Sequence, residues 1–216
     1  MEAVNGSCID WGAASSVFPG QTECGDRLLV KDLSYGALVA VIDGLGHGSE
    51  AAAAANTAIA TLDESCEQIA GGKHSLLSLL MSCNERLQKT RGAVMSLAIF
   101  NALDGTMTWT GVGNVEGVLL RADRSANPRQ EYLLLRGGVI GTRLPALQAA
   151  IMPVMRGDTL IFATDGIRNG FEQNLVLDDS PQRIADHILA RHISGGDDAL
   201  ALVARYVGGR FERKEA

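Results

Sequence analysis

The chain has 216 residues, 46% of them hydrophobic, which suits one domain over residues 1–216 with a sizeable core. Its 25 acidic and 19 basic residues leave a formal charge of −6, and the basic residues form no run able to track a phosphate backbone, so nucleic acid is excluded as a natural partner. The N-terminal MEAVNGSCIDWG has no basic start followed by an apolar stretch, and no segment approaches the ~18 apolar residues of a membrane span, so a cytoplasmic protein without a membrane partner is expected.

Taken in chain order, Ser7 to Val17 reads as a strand and Phe18 to Asp26 as a turn-rich stretch. Arg27 to Leu33 and Ala37 to Ile42 are strand-like and separated by three residues, which predicts a hairpin. Ser49 is placed to cap a helix over Glu50 to Ile69, closed by Gly71-Gly72. A second helix is predicted from Ser75 to Lys89, with Leu76, Leu79, Leu80, Cys83 and Leu87 at helical spacing.

Strands are then predicted at Ala93 to Asn101, Thr106 to Gly111 and Val115 to Arg121, with Asp104-Gly105 as a two-residue hairpin turn. A polar loop, a strand-like Tyr132 to Leu135 and a short apolar piece at Ala150 to Val154 follow. Thr159 to Ala163 is a strand, Pro181 to His192 an amphipathic helix with proline in its first turn, and Ala199 to Val207 the last strand. The succession reads as α+β, antiparallel sheets packed against helices. Trp11 and Trp109 are expected in the core. The four cysteines, Cys8, Cys24, Cys66 and Cys83, form no CxxC pair and read as reduced thiols.

Three acidic turns carry the chemistry. Asp43 and Asp165 each end an apolar strand and precede a glycine, and Asp197-Asp198 precedes one. An isolated Asp-Gly is ordinarily only a turn. Carboxylates gathered at strand ends, however, repel one another unless a cation sits among them, and an oxygen-rich set suits Mg²⁺ or Mn²⁺. Gly44 allows a close backbone approach, so that its carbonyl can serve as a ligand. Two such ions favour phosphoester hydrolysis.

The segment Val39 to Gly48, VAVIDGLGHG, resembles the metal-binding signature of PP2C-type protein phosphatases, in the bacterial branch of sporulation and stress-response serine phosphatases. Cys24 to Asp26 (CGD), Gly157 to Gly166 (GDTLIFATDG) and Gly196 to Val203 (GDDALALV) are similar to the family's other acidic motifs, in the same order. Short length with RGAVM at Arg91 to Met95 and GVGNV at Gly111 to Val115 is similar to feedback phosphatases of the stressosome.

The resemblance covers about residues 7 to 207 and implies a β-sandwich of two antiparallel sheets flanked by pairs of antiparallel helices. It also implies a metal-dependent serine/threonine phosphatase. Asp43 would bridge two Mn²⁺ or Mg²⁺ ions, the Gly44 carbonyl would bind one, Asp165 and Asp197 the other, and Asp26 would act through metal-bound water. A metal-bridging hydroxide would attack phosphoserine or phosphothreonine directly. The implied substrates are phosphorylated STAS-domain proteins of a stressosome or partner-switching module, acted on by a monomer in a bacterial signalling pathway.

Leu45 stands where many eukaryotic relatives have a histidine. His47 then has three readings: general acid, helix cap or solvent-facing side chain. Arg27, beside Asp26, is either a phosphate holder or half of an ordinary surface ion pair. Asp198 is a spare ligand, a water-holding group behind the ligands, or a solvent-facing acid. His74, His187 and His192 read as surface residues. Two alternatives stand beside the leading function, a catalytically silent binding module and a phosphatase of an anti-sigma-factor antagonist.

Overall fold

A computed structural model of the chain describes residues 6–69 and 76–209. Ten strands and three helices are found among them: β1 Ile9–Ser16, β2 Asp26–Leu33, β3 Gly36–Gly44, α1 Ser49–Ile69, α2 Leu76–Leu87, β4 Ala93–Asn101, β5 Thr106–Val112, β6 Glu116–Leu120, β7 Gln130–Tyr132, β8 Ala150–Pro153, β9 Thr159–Ala163, α3 Pro181–His192 and β10 Ala199–Tyr206. They form two five-stranded antiparallel sheets in the orders β1-β10-β9-β6-β7 and β2-β3-β4-β5-β8.

The burial of β3 explains why ALVAVI shows no polar alternation. Ala37, Val39 and Val41 point into the layer between the sheets, packing with Phe100, Trp109, Phe162 and Leu202. Leu38, Ala40 and Ile42 point the other way, onto Ala54, Ala58 and Leu62 of α1 and Leu79 and Leu80 of α2. With both faces covered, each position of such a strand is apolar. Fully buried side chains such as Phe100 and Phe162 contribute about 1.5–3 kcal/mol each.

The alanines of α1 have the same origin. Ala51, Ala52, Ala54, Ala55 and Ala58 are buried, and their small side chains let the helix lie close on the sheet. The other sheet is covered by α3, whose Ile184, Ala185 and Ile188 meet Val118, Ile161 and Ala201. One sandwich face thus carries the α1–α2 pair and the other, among the described residues, α3. Proline lies in the first turn of α3, as expected, and Ser180 caps it.

Several local expectations shift. Ser49 is the first residue of α1 and not its cap, because the Gly48 carbonyl accepts the first helical bond, from the Ala52 amide. The β4–β5 turn spans four residues, since Asn101 pairs with Thr106 and the Asp104 carboxylate accepts from the Thr106 amide and hydroxyl. The strand expected at Tyr132 to Leu135 lies at Gln130–Tyr132, where it pairs with β6. Trp109 is buried, but Trp11 is 45% exposed, since β1 is an edge strand with a neighbour on one side only. Gly71-Gly72, His74 and Ser75 lie outside the described residues.

Candidate metal centre

The antiparallel register gathers the acidic residues at one rim. Asp26 opens β2 and is the cross-strand partner of Asp43, at the end of β3. Asp165 follows β9 and Asp197 and Asp198 precede β10, its antiparallel neighbour. Each sheet therefore delivers one strand end and one strand start, and residues as far apart in sequence as Asp26 and Asp198 meet.

Asp43, Asp165 and Asp197 line a cavity of about 340 Å³ together with Asn114, Gly137 and Gly138. Asp26 and Asp198 stand behind its wall. Asp26 is 4% exposed and accepts a 2.7 Å bond from the Thr164 hydroxyl, which in turn accepts from the Leu200 amide. Asp198 is 2% exposed and accepts from the Phe18 and Gly25 amides at 2.8 and 2.6 Å. It is thus no solvent-facing acid: it pins the start of β10 to the loop before β2.

Gly44 is buried, and its amide donates to the Gly25 carbonyl at 3.2 Å. A Cβ there would lie 2.1 Å from the Ala51 carbonyl oxygen, so glycine is required by the approach of α1.

Other expected residues fall elsewhere. His47 is exposed and stacks on Phe18, with ring centroids 5.1 Å apart, and does not line the cavity. Arg27 forms no ion pair among the described residues. Its guanidinium donates to the Cys24 and Asp26 carbonyls and to Asn56. His187 is exposed and His192 partly so.

Two contributors were not singled out as site residues. Asn114 donates to the Asp165 carboxylate at 2.7 Å, which fixes that side chain at the mouth of the cavity. It sits in the GVGNV segment, which was noted only as a resemblance. Arg91 pairs with Glu50 beside Gly46, a lining residue. No feature of RGAVM marks that placement.

The electrostatics identify what the cluster lacks. None of the five aspartates forms an ion pair with Lys, Arg or His among the described residues. Burial, opposed by the Thr164 bond and reinforced by the neighbouring aspartates, raises Asp26 to about 7. Burial and repulsion from Asp26, Asp165, Asp197 and Asp198 raise Asp43 to about 8. Asp165 is also raised, by burial and by Asp197, against the Asn114 bond. Removing water while withholding a counter-charge disfavours the ionised forms, and a hard divalent cation would supply that charge.

Among the described residues no three His, Cys, Asp or Glu side chains close around a single ion position.

A pH dependence follows. Because the folded pKa values of Asp26 and Asp43 lie above the ordinary carboxylate value of 3.8, their contribution to stability is fully present below about pH 4 and lost as pH rises through about 7 and 8. In EDTA the melting temperature should fall from pH 5.5 to 8.5, and saturating Mg²⁺ or Mn²⁺ should raise it more at the alkaline end. A slope in EDTA unaltered by Asp43→Asn would remove these groups as its cause.

Comparison with known proteins identifies relatives of the chain as a whole. The profile of the family "Stage II sporulation protein E (SpoIIE)" matches residues 34–207. Phosphoserine phosphatase RsbX of Bacillus subtilis (strain 168) is 28% identical over 148 residues, covering 68% of this chain and 69% of that protein. A solved structure described as the bacterial stressosome, "a modular system that has been adapted to control secondary messenger signaling", superposes with a TM-score of 0.80 at 28% identity, over 91% of this chain and 99% of the other. RsbX in complex with magnesium superposes with a TM-score of 0.78 at 21% identity, over 95% and 99% of the two chains, a likeness of fold. No helix among the described residues is long and apolar enough to cross a membrane. The match over most of the chain, the two-sheet sandwich and the carboxylates at its rim together place this protein in the SpoIIE family of PP2C-type, metal-dependent serine/threonine phosphatases.

Proposed function

We propose that this protein is a single-domain, monomeric, cytoplasmic phosphatase that removes phosphate from serine or threonine of a STAS-domain protein, resetting a bacterial stress-signalling assembly. The observation that carries the reading is the cavity bordered by Asp43, Asp165 and Asp197 with no cationic side chain to balance them. The substrate class rests on the relationship to phosphoserine phosphatase RsbX and on the stressosome likeness.

Asp43, Asp165 and Asp197 would hold two Mg²⁺ or Mn²⁺ ions, the Gly44 carbonyl would complete one of them, and Asp26 would hold a water from behind. When bound, the ions lower the pKa of a water and offset negative charge on the phosphoryl group. The chain's own residues do the rest. Asn114 keeps Asp165 turned toward the cavity, and Thr164 and Leu200 keep Asp26 in place. Among the described residues no Ser, Thr, Cys or His lines the cavity. The Cys24 thiol, pushed up to about 11 chiefly by burial, stays protonated. The family resemblance implies that the attacking oxygen is that of water and that no phosphoenzyme forms. Gly137, with open space where a side chain would be, leaves room for the substrate's own backbone.

Manganese-dependent phosphate release from a phosphoserine STAS-domain protein tests the reading. Release by the natural sequence and its loss in Asp165→Asn are expected. Metal binding without release from that substrate or from a small aryl phosphate would instead identify a docking module. Release only from the aryl phosphate would retain the enzyme and reject the substrate class.

A further inference from the structure

A second cavity, larger at about 490 Å³, lies at the other end of β9. Gly157, just before β9, borders it, while Asp165, just after β9, borders the carboxylate cavity. At ~3.3 Å per residue the two are on the order of 20 Å apart. The strand β10 repeats the relation, with Asp197 at one end and Arg205 at the other.

Four arginines line this cavity: Arg121, Arg124, Arg129 and Arg205. Among the described residues only Arg121 is balanced, by Glu131 and by Asp158 at 2.8 Å. Arg205 is held without a carboxylate among the described residues. Its guanidinium donates to the Leu177 and Asp179 carbonyls, both at 2.6 Å, and to the Thr159 hydroxyl at 3.5 Å. Arg124 and Arg129 are exposed and have neither an ion pair nor a side-chain hydrogen bond among the described residues. Against these three charges the wall offers Asp178 alone, because the Asp179 carboxylate is paired with Arg183 at 3.1 Å.

A chain of net charge −6 thus concentrates unbalanced cations in one concavity. Guanidinium groups match phosphate oxygens in charge and in fork geometry. Leu175, Val176 and Leu177 add an apolar wall beside them. The volume falls in the ~300–1,000 Å³ range of small-molecule sites.

We propose that this cavity binds an organic phosphate of nucleotide size, its phosphates against Arg124, Arg129 and Arg205 and its organic part along Leu175 to Leu177. The site is separate from the carboxylate centre and stands whether or not the phosphatase reading holds.

Titration calorimetry with ADP and with inorganic pyrophosphate, in EDTA at low salt, tests it on the whole chain. ADP should bind the natural sequence at or below about 1 mM and at least about tenfold more weakly to the double variant Arg124→Gln/Arg129→Gln. Asp43→Asn should bind ADP as the natural sequence does. The substituted arginines are exposed, and an unchanged melting temperature of the double variant verifies that its fold is kept. No binding of ADP, equal binding by the double variant, or loss in Asp43→Asn would each overturn the site. Pyrophosphate binding as tight as that of ADP would overturn the nucleotide-sized ligand.

Discussion

Replacing Asp43 by asparagine is expected to abolish phosphate release at saturating Mn²⁺, by at least about 10³-fold, or roughly 4 kcal/mol at 1.36 kcal/mol per tenfold. The substitution keeps the shape of the side chain and removes its charge. In EDTA the same change should stabilise the fold at pH 8 by more than about 1.4 kcal/mol, the equivalent of one pKa unit. The reason is that Asp43 faces Asp26 across the β2–β3 ladder and is pushed up to about 8 by burial and by four other aspartates. Activity and metal-free stability thus move in opposite directions, as expected for a site whose strain is relieved by its ligand. Steady-state kinetics and thermal melts on one preparation check both. Retention of activity within about tenfold, or a metal-free protein less stable than the natural one, would contradict the role given to Asp43.

Gly166→Ala should destabilise the protein by about 3 kcal/mol or more. A Cβ at position 166 would lie 1.9 Å from the Asp198 carbonyl oxygen and 2.8 Å from the Ala199 Cα. Backbone on both sides would have to move. The start of β10 is not free to do so, because the Asp198 carboxylate is tied to the Phe18 and Gly25 amides. Relief would therefore disturb Asp165 and Asp197 as well, so metal affinity should fall with stability. Gly137→Ala is the matching control. It borders the same cavity, but open space surrounds its Cβ position, and its effect should stay within about 0.5 kcal/mol. Chemical denaturation of the two variants side by side distinguishes a backbone clash from a general intolerance of the cavity rim to substitution.

Most of the elements were legible in the sequence, because apolar runs, helical spacing and glycine-bearing turns are local signals, whereas the two-sheet sandwich was implied by the family resemblance. The runs ALVAVI and TLIFA became β3 and β9, and Pro181 to His192 became α3 with its expected bounds. Boundaries slipped where a side chain and the backbone compete for the same group. Ser49 looks like a cap by residue type, yet the Gly48 carbonyl accepts the first helical bond. Trp11 reads as core by composition, and only its place on an edge strand explains its exposure.

Chemical identity was legible in the sequence alone: which carboxylates flank apolar strands, in what order, and with which glycines beside them. That was sufficient to name Asp43, Asp165 and Asp197, and the family resemblance they carry implied Asp26. Tertiary structure decided how those groups divide. Strand register set Asp26 against Asp43 and placed Asp26 behind the cavity wall, bonded to Thr164 from the other sheet. It also turned Asp198 into a tie between loops, drew Asn114 to Asp165, and occupied Arg27 with backbone carbonyls. The same packing collected Arg124, Arg129 and Arg205 around a second cavity. Residue type fixes what a side chain can donate or accept, and apart from the local Arg27 bonds these pairings join segments far apart in the chain, so the packing of the two sheets selects which partner each meets.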